Sequence, residues 1–226
     1  GRLVVNGLEE SLTRVLAQGC WSEVRSFGAA VSDFTAVGEP HCFEVLRHGQ
    51  KLAEVKWDLG GVHNQLNALA AIAAAEHVGV APAVAAKALT SFENVKRRME
   101  VRGTVQRQGG GITVYDDFAH HPTEVAAALS AARAVVGGGK LITVFQPHLY
   151  SRTRLMHKEF AQALSVSDQV VVLDIYAARE DPEPGVTGVM VSDSFENQAQ
   201  VHYVPLWDDA PAVAASLAGE GDFIIT

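Results

Sequence analysis

The sequence predicts an α/β fold in two parts, residues 1–100 and 101–226. Beyond residue 111, short apolar strands alternate with amphipathic helices, which is the pattern of a parallel sheet with helices on both faces. Before residue 60, short strand-like runs alternate with turns, and an alanine-rich helix follows them. Hydrophobic residues make up 48% of the 226 residues and charged residues 19%, so the chain can bury a core.

The first part is predicted to contain a hairpin and three helices. Two strand-like runs flank Arg47–Gln50 and form a hairpin that turns at Gly49. The run from Asn64 to Glu76 has strong helical propensity, and its small residues indicate close packing against a sheet. Pro82 suits the first turn of the next helix, where its missing N–H does no harm. The predicted strands are Leu3–Asn6, Cys42–Leu46 and Leu52–Trp57, and the predicted helices are Glu9–Leu16, Asn64–Glu76 and Pro82–Leu89.

The second part is predicted to begin with a turn at the glycines 109–111 and to continue as a parallel sheet flanked by helices. The predicted strands are Ile112–Tyr115, Leu141–Phe145, Gln169–Asp174, Val201–Pro205 and Gly221–Thr226, and the predicted helices are Thr123–Val135, Leu155–Leu164 and Ala210–Leu217. The last strand lacks the loop that should follow it, so we expect this part to be truncated at its end.

Charge and cysteine usage exclude several classes of partner. The net charge of -8 argues against a nucleic-acid or anionic-membrane surface, because neutralising phosphates requires clustered Lys and Arg. No apolar run reaches membrane-spanning length, and no signal peptide is evident. The two lone cysteines, Cys20 and Cys42, favour a reducing compartment, which we take to be the cytoplasm. They lack the Cys-x-x-Cys spacing of structural zinc, so no metal site is predicted.

His63, Asn64 and Asn67 lie at the start of the alanine-rich helix. Asn64 and Asn67 are three residues apart, so both amides share one face of the first turn. A side-chain amide donates and accepts hydrogen bonds together, which suits the edge of adenine. The alternative is that Asn64 only caps the helix, and this pattern alone favours the cap.

Titratable residues are densest from Tyr115 to Thr123, after a predicted strand and before a predicted helix. Open α/β sheets bind ligands at this position. Two adjacent carboxylates, Asp116 and Asp117, and two imidazoles, His120 and His121, could bind a metal, a ribose or a substrate amine. The alternative is a loop in which Thr123 or Asp117 caps the helix. We favour a functional loop, although no third ligand has the spacing of a zinc site.

A second such loop, Phe145–Arg154, also follows a strand and precedes a helix. Arg152 and Arg154 offer forked donors that match a carboxylate or a phosphate, unless they are surface arginines. Two such loops at one sheet edge favour a shared pocket. The basic run Lys96–Arg98 is either a solvated linker or a position from which Arg98 reaches a phosphate. We interpret the proline-rich loop Asp174–Gly188 as a structural rim.

Taken together, three segments resemble the Mur ligases in order and spacing. These segments are His63–Ala71, Lys96–Arg98 and Asp116–Thr123, and the resemblance covers essentially the whole chain. It implies the end of a central ATP-binding domain, residues 1–100, followed by a Rossmann-like C-terminal domain, residues 101–226. It also implies ATP-dependent amide ligation in cell-wall synthesis, in which an amine attacks an acyl phosphate of UDP-N-acetylmuramate.

Two branches of the family compete. Residues 1 to about 125 are most similar to the branch that joins UDP-N-acetylmuramate to the tripeptide L-alanyl-γ-D-glutamyl-meso-diaminopimelate, on Gly19–Glu23, Glu54–Trp57 and His77–Pro82. Residues from about 140 onward are most similar to the branch that adds L-alanine, on Val144–Arg154 and Ala178–Gly185. Since the C-terminal domain receives the amine in this family, we favour L-alanine.

The resemblance also implies residue roles. Nucleotide-binding roles fall on His63, Asn64, Asn67, Arg98 and Asp117. Substrate-binding roles fall on His120, His148 and Arg152, with Arg152 as the clamp for the amino-acid carboxylate. Catalytic roles fall on His120, Asp117 and Arg98.

The sequence departs from the family pattern in three respects. Phe118 stands where the alanine-adding branch usually has tyrosine, and Leu149 stands where many of its members have a second arginine. No Gly-x-x-Gly-Lys-Thr/Ser phosphate loop occurs. We therefore expect the ligands of Mg²⁺ to lie mainly in a missing N-terminal part, and this chain alone to be inactive. The rival hypotheses are a non-catalytic binding module and a folate-adding ligase, and the double histidine argues against the latter.

Overall fold

The computed structural model describes residues 1–107 and 110–226, and it confirms the predicted α/β class. The chain forms two compact units, Gly1–Asn94 (unit 1) and Val95–Thr226 (unit 2). Within the two described stretches, no helix is long and apolar enough to cross a membrane.

Unit 1 contains a five-stranded sheet whose strands are adjacent in chain order. The strands are β1 (Arg2–Asn6), β2 (Glu23–Phe27), β3 (Phe34–Glu39), β4 (Cys42–Arg47) and β5 (Gln50–Lys56). The first three are parallel, and β3, β4 and β5 are antiparallel. The predicted hairpin is confirmed, with its turn at His48 and Gly49, which have φ of 47° and 78°. Sequence analysis missed β2 and β3 because polar side chains interrupt their apolar pattern.

Three helices belong to unit 1: α1 (Glu10–Ala17), α2 (Val62–His77) and α3 (Pro82–Leu89). The buried side chains of α2 join the core formed by the strands, as the small residues of this helix predict. This core includes Phe34, Phe43, Val45, Leu69 and Ile72, all of them at most 1% exposed.

Unit 2 contains a six-stranded sheet in the order β10-β9-β8-β11-β7-β6. The strands are β6 (Glu100–Arg107), β7 (Gly110–Asp116), β8 (Leu141–Phe145), β9 (Gln169–Val172), β10 (Val201–Tyr203) and β11 (Phe223–Ile225). All are parallel except β6, an edge strand antiparallel to β7 that sequence analysis missed. Gly110 and Gly111 begin β7, whereas Gly109, at the predicted turn, lies outside the described residues.

The described helices of unit 2 cover both faces of its sheet, which confirms the predicted layering. They are α4 (Pro122–Val136), α5 (Tyr150–Leu164), the short α6 (Val189–Ser192) and α7 (Ala210–Leu217), with one-turn 3-10 helices at Gln198–Gln200 and Trp207–Asp209. Leu129 of α4 and Phe160 of α5 join the core on one face, and Ala214 of α7 packs with Ile142 on the other. The predicted start of α5 at Leu155 is wrong, because the helix begins at Tyr150.

Replacing Phe160 with alanine should lower the free energy of unfolding by about 3–5 kcal/mol. The Phe160 side chain is fully buried, and its ring centroid lies 5.0 Å from that of Phe145, so truncation leaves a cavity. Urea unfolding measures the loss. As a control, Val135→Ala on the exposed side of α4 should change stability by less than about 0.5 kcal/mol. Equal midpoints for the two variants would contradict this account of the core.

Candidate active site

Three loops of unit 2 leave the sheet at the same edge. They follow β7, β8 and β9, and the carboxyl ends of parallel strands share one edge. The first two are the loops that sequence analysis singled out. The third loop contains Asp174–Gly188, which we interpreted as a structural rim, and its contacts with the other two loops are given below.

The carboxylate of Asp117 holds the first loop together. Its side chain is 7% exposed and accepts hydrogen bonds from the backbone N–H groups of Met99 (2.9 Å) and Ala119 (2.8 Å). Arg98 Nη1 lies 3.8 Å from Asp117 Oδ1. One buried carboxylate therefore ties the basic segment to the loop after β7.

The basic segment is anchored to the first loop, although its side chains are exposed. The N–H of Phe118 donates to the carbonyl of Arg97 (2.8 Å), and the Arg97 guanidinium lies 4.8 Å from the centroid of the Phe118 ring. Arg97 Nε also donates to Asp116 Oδ1 at 3.2 Å. These contacts fix the backbone at Arg97 and therefore the starting position of the neighbouring Arg98 side chain.

The two adjacent histidines have different surroundings. His121 is the N-cap of α4, and its Nδ1 accepts from the N–H of Thr123 at 3.3 Å, so neither Thr123 nor Asp117 caps this helix. His120 Nδ1 lies 3.0 Å from the carbonyl oxygen of Phe118. Because a carbonyl oxygen only accepts, the proton of the neutral ring is on Nδ1, and Nε2 is the acceptor.

His148 follows β8 and lies in a partly buried, positively charged corner. Its ring stacks on Tyr176 (centroids 5.5 Å apart), and its centroid lies 6.1 Å from that of His120. The buried Nδ1 has no hydrogen-bond partner among the described residues. Burial lowers the pKa of His148, the positive charges of Arg152 and Arg179 lower it further, and the carboxylate of Glu180 raises it by less. The imidazole is therefore neutral at neutral pH.

Arg152 connects the first two loops. It lies in the first turn of α5, which corrects the prediction of a loop position, and its Nη1 donates to the carbonyl of His120 at 3.0 Å. Arg154 has a different environment, since it is exposed and its Nε lies 3.0 Å from Glu183 Oε1. The structure therefore brings Arg152 to the loop of His120, whose ring lies beside that of His148. Arg154, in contrast, is a paired surface residue.

The third loop contributes two residues that sequence analysis missed. The N–H of Tyr176 donates to the carbonyl of Pro147 (2.8 Å), and the N–H of Leu149 donates to the carbonyl of Tyr176 (3.0 Å). Glu180 accepts from the N–H of Ser151 at 2.9 Å and from its hydroxyl. The sequence feature that could have identified these residues is the position of their loop after a third predicted parallel strand.

Backbone strain in unit 2 concentrates in two of these loops and in residues 97–99, which contact the first loop. Among its described residues, four that are not glycine have a positive φ: Arg97, Met99, Leu149 and Ala178, at 59°, 49°, 75° and 52°. Such residues seldom adopt this conformation, and strained backbone clusters at functional sites. All four flank the residues described above, which supports a functional role for this edge of the sheet.

The predicted nucleotide residues of unit 1 lie at the start of α2. Gly61 is the N-cap, and Asn64 Nδ2 donates to the carbonyl of Gly60 at 2.8 Å. Asn64 therefore does not cap the helix, and the capping alternative is wrong. Asn67 is exposed three residues further along. Across the described parts of the chain, no group of three His, Cys, Asp or Glu residues could hold a metal ion.

Comparisons with known proteins agree on one family. Residues 97–226 match the family model described as Mur ligase, glutamate ligase domain. The UDP-N-acetylmuramate–L-alanine ligase of Clavibacter michiganensis is 50% identical over 167 residues, which cover 74% of this chain and 34% of that protein. The enzyme of the same name from Kineococcus radiotolerans is 41% identical over 215 residues, covering 93% and 45%. The chain thus spans less than half the length of these relatives.

Two solved ligase structures superpose on this chain. A murein peptide ligase from Psychrobacter arcticus superposes with a TM-score of 0.73 at 27% identity, covering 100% of this chain and 47% of that one. A UDP-N-acetylmuramate-alanine ligase from Thermotoga maritima gives a TM-score of 0.68 at 28% identity, covering 89% and 43%.

Replacing Asp117 with asparagine should destabilise the segment Lys96–Met99. An amide has one acceptor oxygen, so one of the two backbone N–H groups loses its partner, at a cost of about 1–3 kcal/mol. The segment contains trypsin sites at Lys96, Arg97 and Arg98, so limited trypsin digestion should cut there faster. Asp116→Asn, which removes only the partly exposed pair with Arg97, is the matched control. Equal cleavage rates in the two variants would contradict the role given to Asp117.

Proposed function

Because the chain belongs to the Mur ligase family, we propose that it is part of an ATP-dependent ligase that joins L-alanine to the carboxylate of UDP-N-acetylmuramate. The observation that carries the proposal is one arrangement in unit 2, where Arg152 is bonded to the backbone carbonyl of His120 and the His120 ring lies 6.1 Å from that of His148. The two curated relatives, at 41% and 50% identity, are named as ligases of this kind.

In this proposal Arg152 binds the carboxylate of the incoming amino acid. A guanidinium has five N–H donors, and the bond to the His120 carbonyl uses one of them while holding the side chain in place. If the remaining N–H groups of Arg152 bind the carboxylate of the amino acid, the α-amino group of that amino acid lies beside the loop of His120. The bond that orients the arginine therefore also fixes the distance between the carboxylate site and the imidazole.

His120 then accepts a proton from the amine. An ammonium group cannot attack a carbonyl until it loses a proton, and Nε2 of His120 is the atom that accepts it, because Nδ1 is bonded to the carbonyl of Phe118. The lowered pKa of His148 keeps that second imidazole uncharged. A neutral His148 does not repel the ammonium group, so positive charge near the substrate is concentrated on the arginine.

For ATP, the residues at the start of α2 fit the adenine base. The amides of Asn64 and Asn67, three residues apart on one helix, offer the donors and acceptors that an adenine edge requires, and His63 is beside them. ATP supplies the phosphoryl group that converts the muramyl carboxylate to an acyl phosphate. We propose that Asp117 acts as a positioning residue, holding Arg98, whose guanidinium is suited to a phosphate.

The domain assignment is part of the same proposal. Residues 1–100 would be the end of a central ATP-binding domain, and residues 101–226 the domain that receives the amine, which the family match over 97–226 supports. No Mg²⁺ ligand is assigned, because the described residues include no suitable cluster. Both cysteines are unpaired, which fits the cytoplasm.

A second candidate is the ligation of the tripeptide L-alanyl-γ-D-glutamyl-meso-diaminopimelate to the same sugar nucleotide. The solved murein peptide ligase favours it, since it covers this whole chain at a TM-score of 0.73. Both reactions use the same nucleotide chemistry and differ only in the amine.

The choice of amine tests the proposal directly. The complete ligase that carries this chain should release phosphate in the presence of ATP, UDP-N-acetylmuramate and L-alanine, and not when the tripeptide replaces L-alanine. A coupled phosphate assay measures both rates on one preparation. Equal or faster turnover with the tripeptide would assign the protein to the second candidate, and the absence of turnover with either amine would contradict both.

Replacing Arg152 with lysine should lower kcat/KM for L-alanine by roughly ten- to a hundredfold. Lysine keeps the charge but loses the planar two-pronged geometry and the fixed bond to the His120 carbonyl. The KM for ATP should remain close to that of the wild type. Arg154→Lys, which alters an exposed pair with Glu183, is the matched control and should change neither constant. An unchanged kcat/KM in Arg152→Lys would make Arg152 a surface residue.

A further inference from the structure

The amino end of α5 already holds a carboxylate from within the protein. Glu180 accepts the N–H of Ser151 at 2.9 Å and its hydroxyl, and these bonds lower the pKa of Glu180, so it is ionised. A helix amino end otherwise attracts anions, through its unpaired N–H groups and its dipole. A substrate carboxylate in this corner therefore has to be recognised by side chains.

Arg179 is held at the same corner by its neighbours. Tyr176 is hydrogen-bonded through its backbone to Pro147 and Leu149, and Glu180 is bonded to Ser151. Only two residues, Ala177 and Ala178, separate Tyr176 from Arg179. The N–H of Glu180 donates to the carbonyl of Ala177 at 3.0 Å, which closes a turn around Arg179. Both ends of this short segment are therefore fixed beside His148 and the start of α5.

The backbone before Arg179 is strained. Ala178 has a φ of 52°, in the left-handed region that an alanine seldom adopts. Leu149, which directly follows His148 in the chain, has a φ of 75°. Strained backbone in both loops indicates that their conformations are constrained.

The charge of Arg179 acts on His148, as that of Arg152 does. Arg179 lies between Tyr176, whose ring stacks on that of His148 with the centroids 5.5 Å apart, and Glu180, which is bonded to Ser151 next to Arg152. Unlike Arg154, which is paired with Glu183, Arg179 makes no ion pair with any residue in the described parts of the chain. It is exposed, and its charge is available to a ligand.

We propose that Arg179 is a second binding residue for the carboxylate of the incoming amino acid, acting together with Arg152. The inference rests on the proposed function. It assigns a substrate contact to the loop after β9, and it gives that loop control over which amines bind. A carboxylate held between two guanidinium groups from different loops is fixed in direction as well as in position, because each fork supplies its own pair of donors.

The test compares L-alanine with L-alaninamide, in which the carboxylate is replaced by a neutral amide. In the complete ligase, Arg179→Ala should raise the KM for L-alanine about tenfold and leave the KM for L-alaninamide nearly unchanged. Arg179→Lys, which keeps the charge, should give a smaller rise. Lys158→Ala removes one positive charge from an exposed position on α5, and this matched control should change neither KM.

The outcomes separate the inference from the proposed function. Wild-type turnover with L-alanine tests the function itself, and its absence would remove both. If the wild type turns over L-alanine but Arg179→Ala has an unchanged KM, the inference fails and the function stands. An equal rise in KM for both amines would also overturn the inference, because it would indicate a structural effect and not the loss of a carboxylate contact.

Discussion

Parallel pairing within the sheet of unit 2 is the constraint on which the candidate site depends. Strands β7, β8 and β9 run in the same direction, so the loops that follow them emerge together, although up to about sixty residues separate them in the chain. Every contact between the loops of His120, His148 and Glu180 follows from this arrangement. With one of these strands reversed, its loop would lie at the opposite edge of the sheet.

The arginines near this edge of the sheet differ in the groups that they contact. Arg97 contacts a ring and a carboxylate, Arg98 pairs with a buried carboxylate, and Arg154 pairs with an exposed one. Arg152 donates to a backbone carbonyl, which cannot neutralise its charge. Among the described residues, Arg152 and Arg179 make no ion pair, so their positive charge remains more available to a ligand than that of the other arginines.

Carboxylates within the protein determine where a substrate carboxylate can bind. Glu180 occupies the amino end of α5, and Asp117 occupies the backbone N–H groups of Met99 and Ala119. Both fill positions at which backbone donors would otherwise bind an anion. The remaining positive charge therefore comes from side chains, which can discriminate between amines by reach and geometry.

The sequence by itself determined those features that depend on neighbours along the chain. Helix α2, the hairpin of β4 and β5, and strand β8 follow from local periodicity and propensity, and all three were predicted. The motif containing Asp117 and His120 was also recognisable, because it lies between a predictable strand and a predictable helix. Its position at the carboxyl edge of a parallel sheet followed from the alternation of strands and helices.

Only the tertiary structure decided the features that depend on residues distant in sequence. The start of α5 at Tyr150 involves Glu180, which lies in a different loop, so no local pattern could reveal it. The two histidines of the double motif look equivalent in sequence, and only their contacts make His121 a helix cap and bring the backbone carbonyl of His120 to Arg152. Local sequence sets backbone propensity, whereas hydrogen bonds between loops require the sheet that brings those loops together.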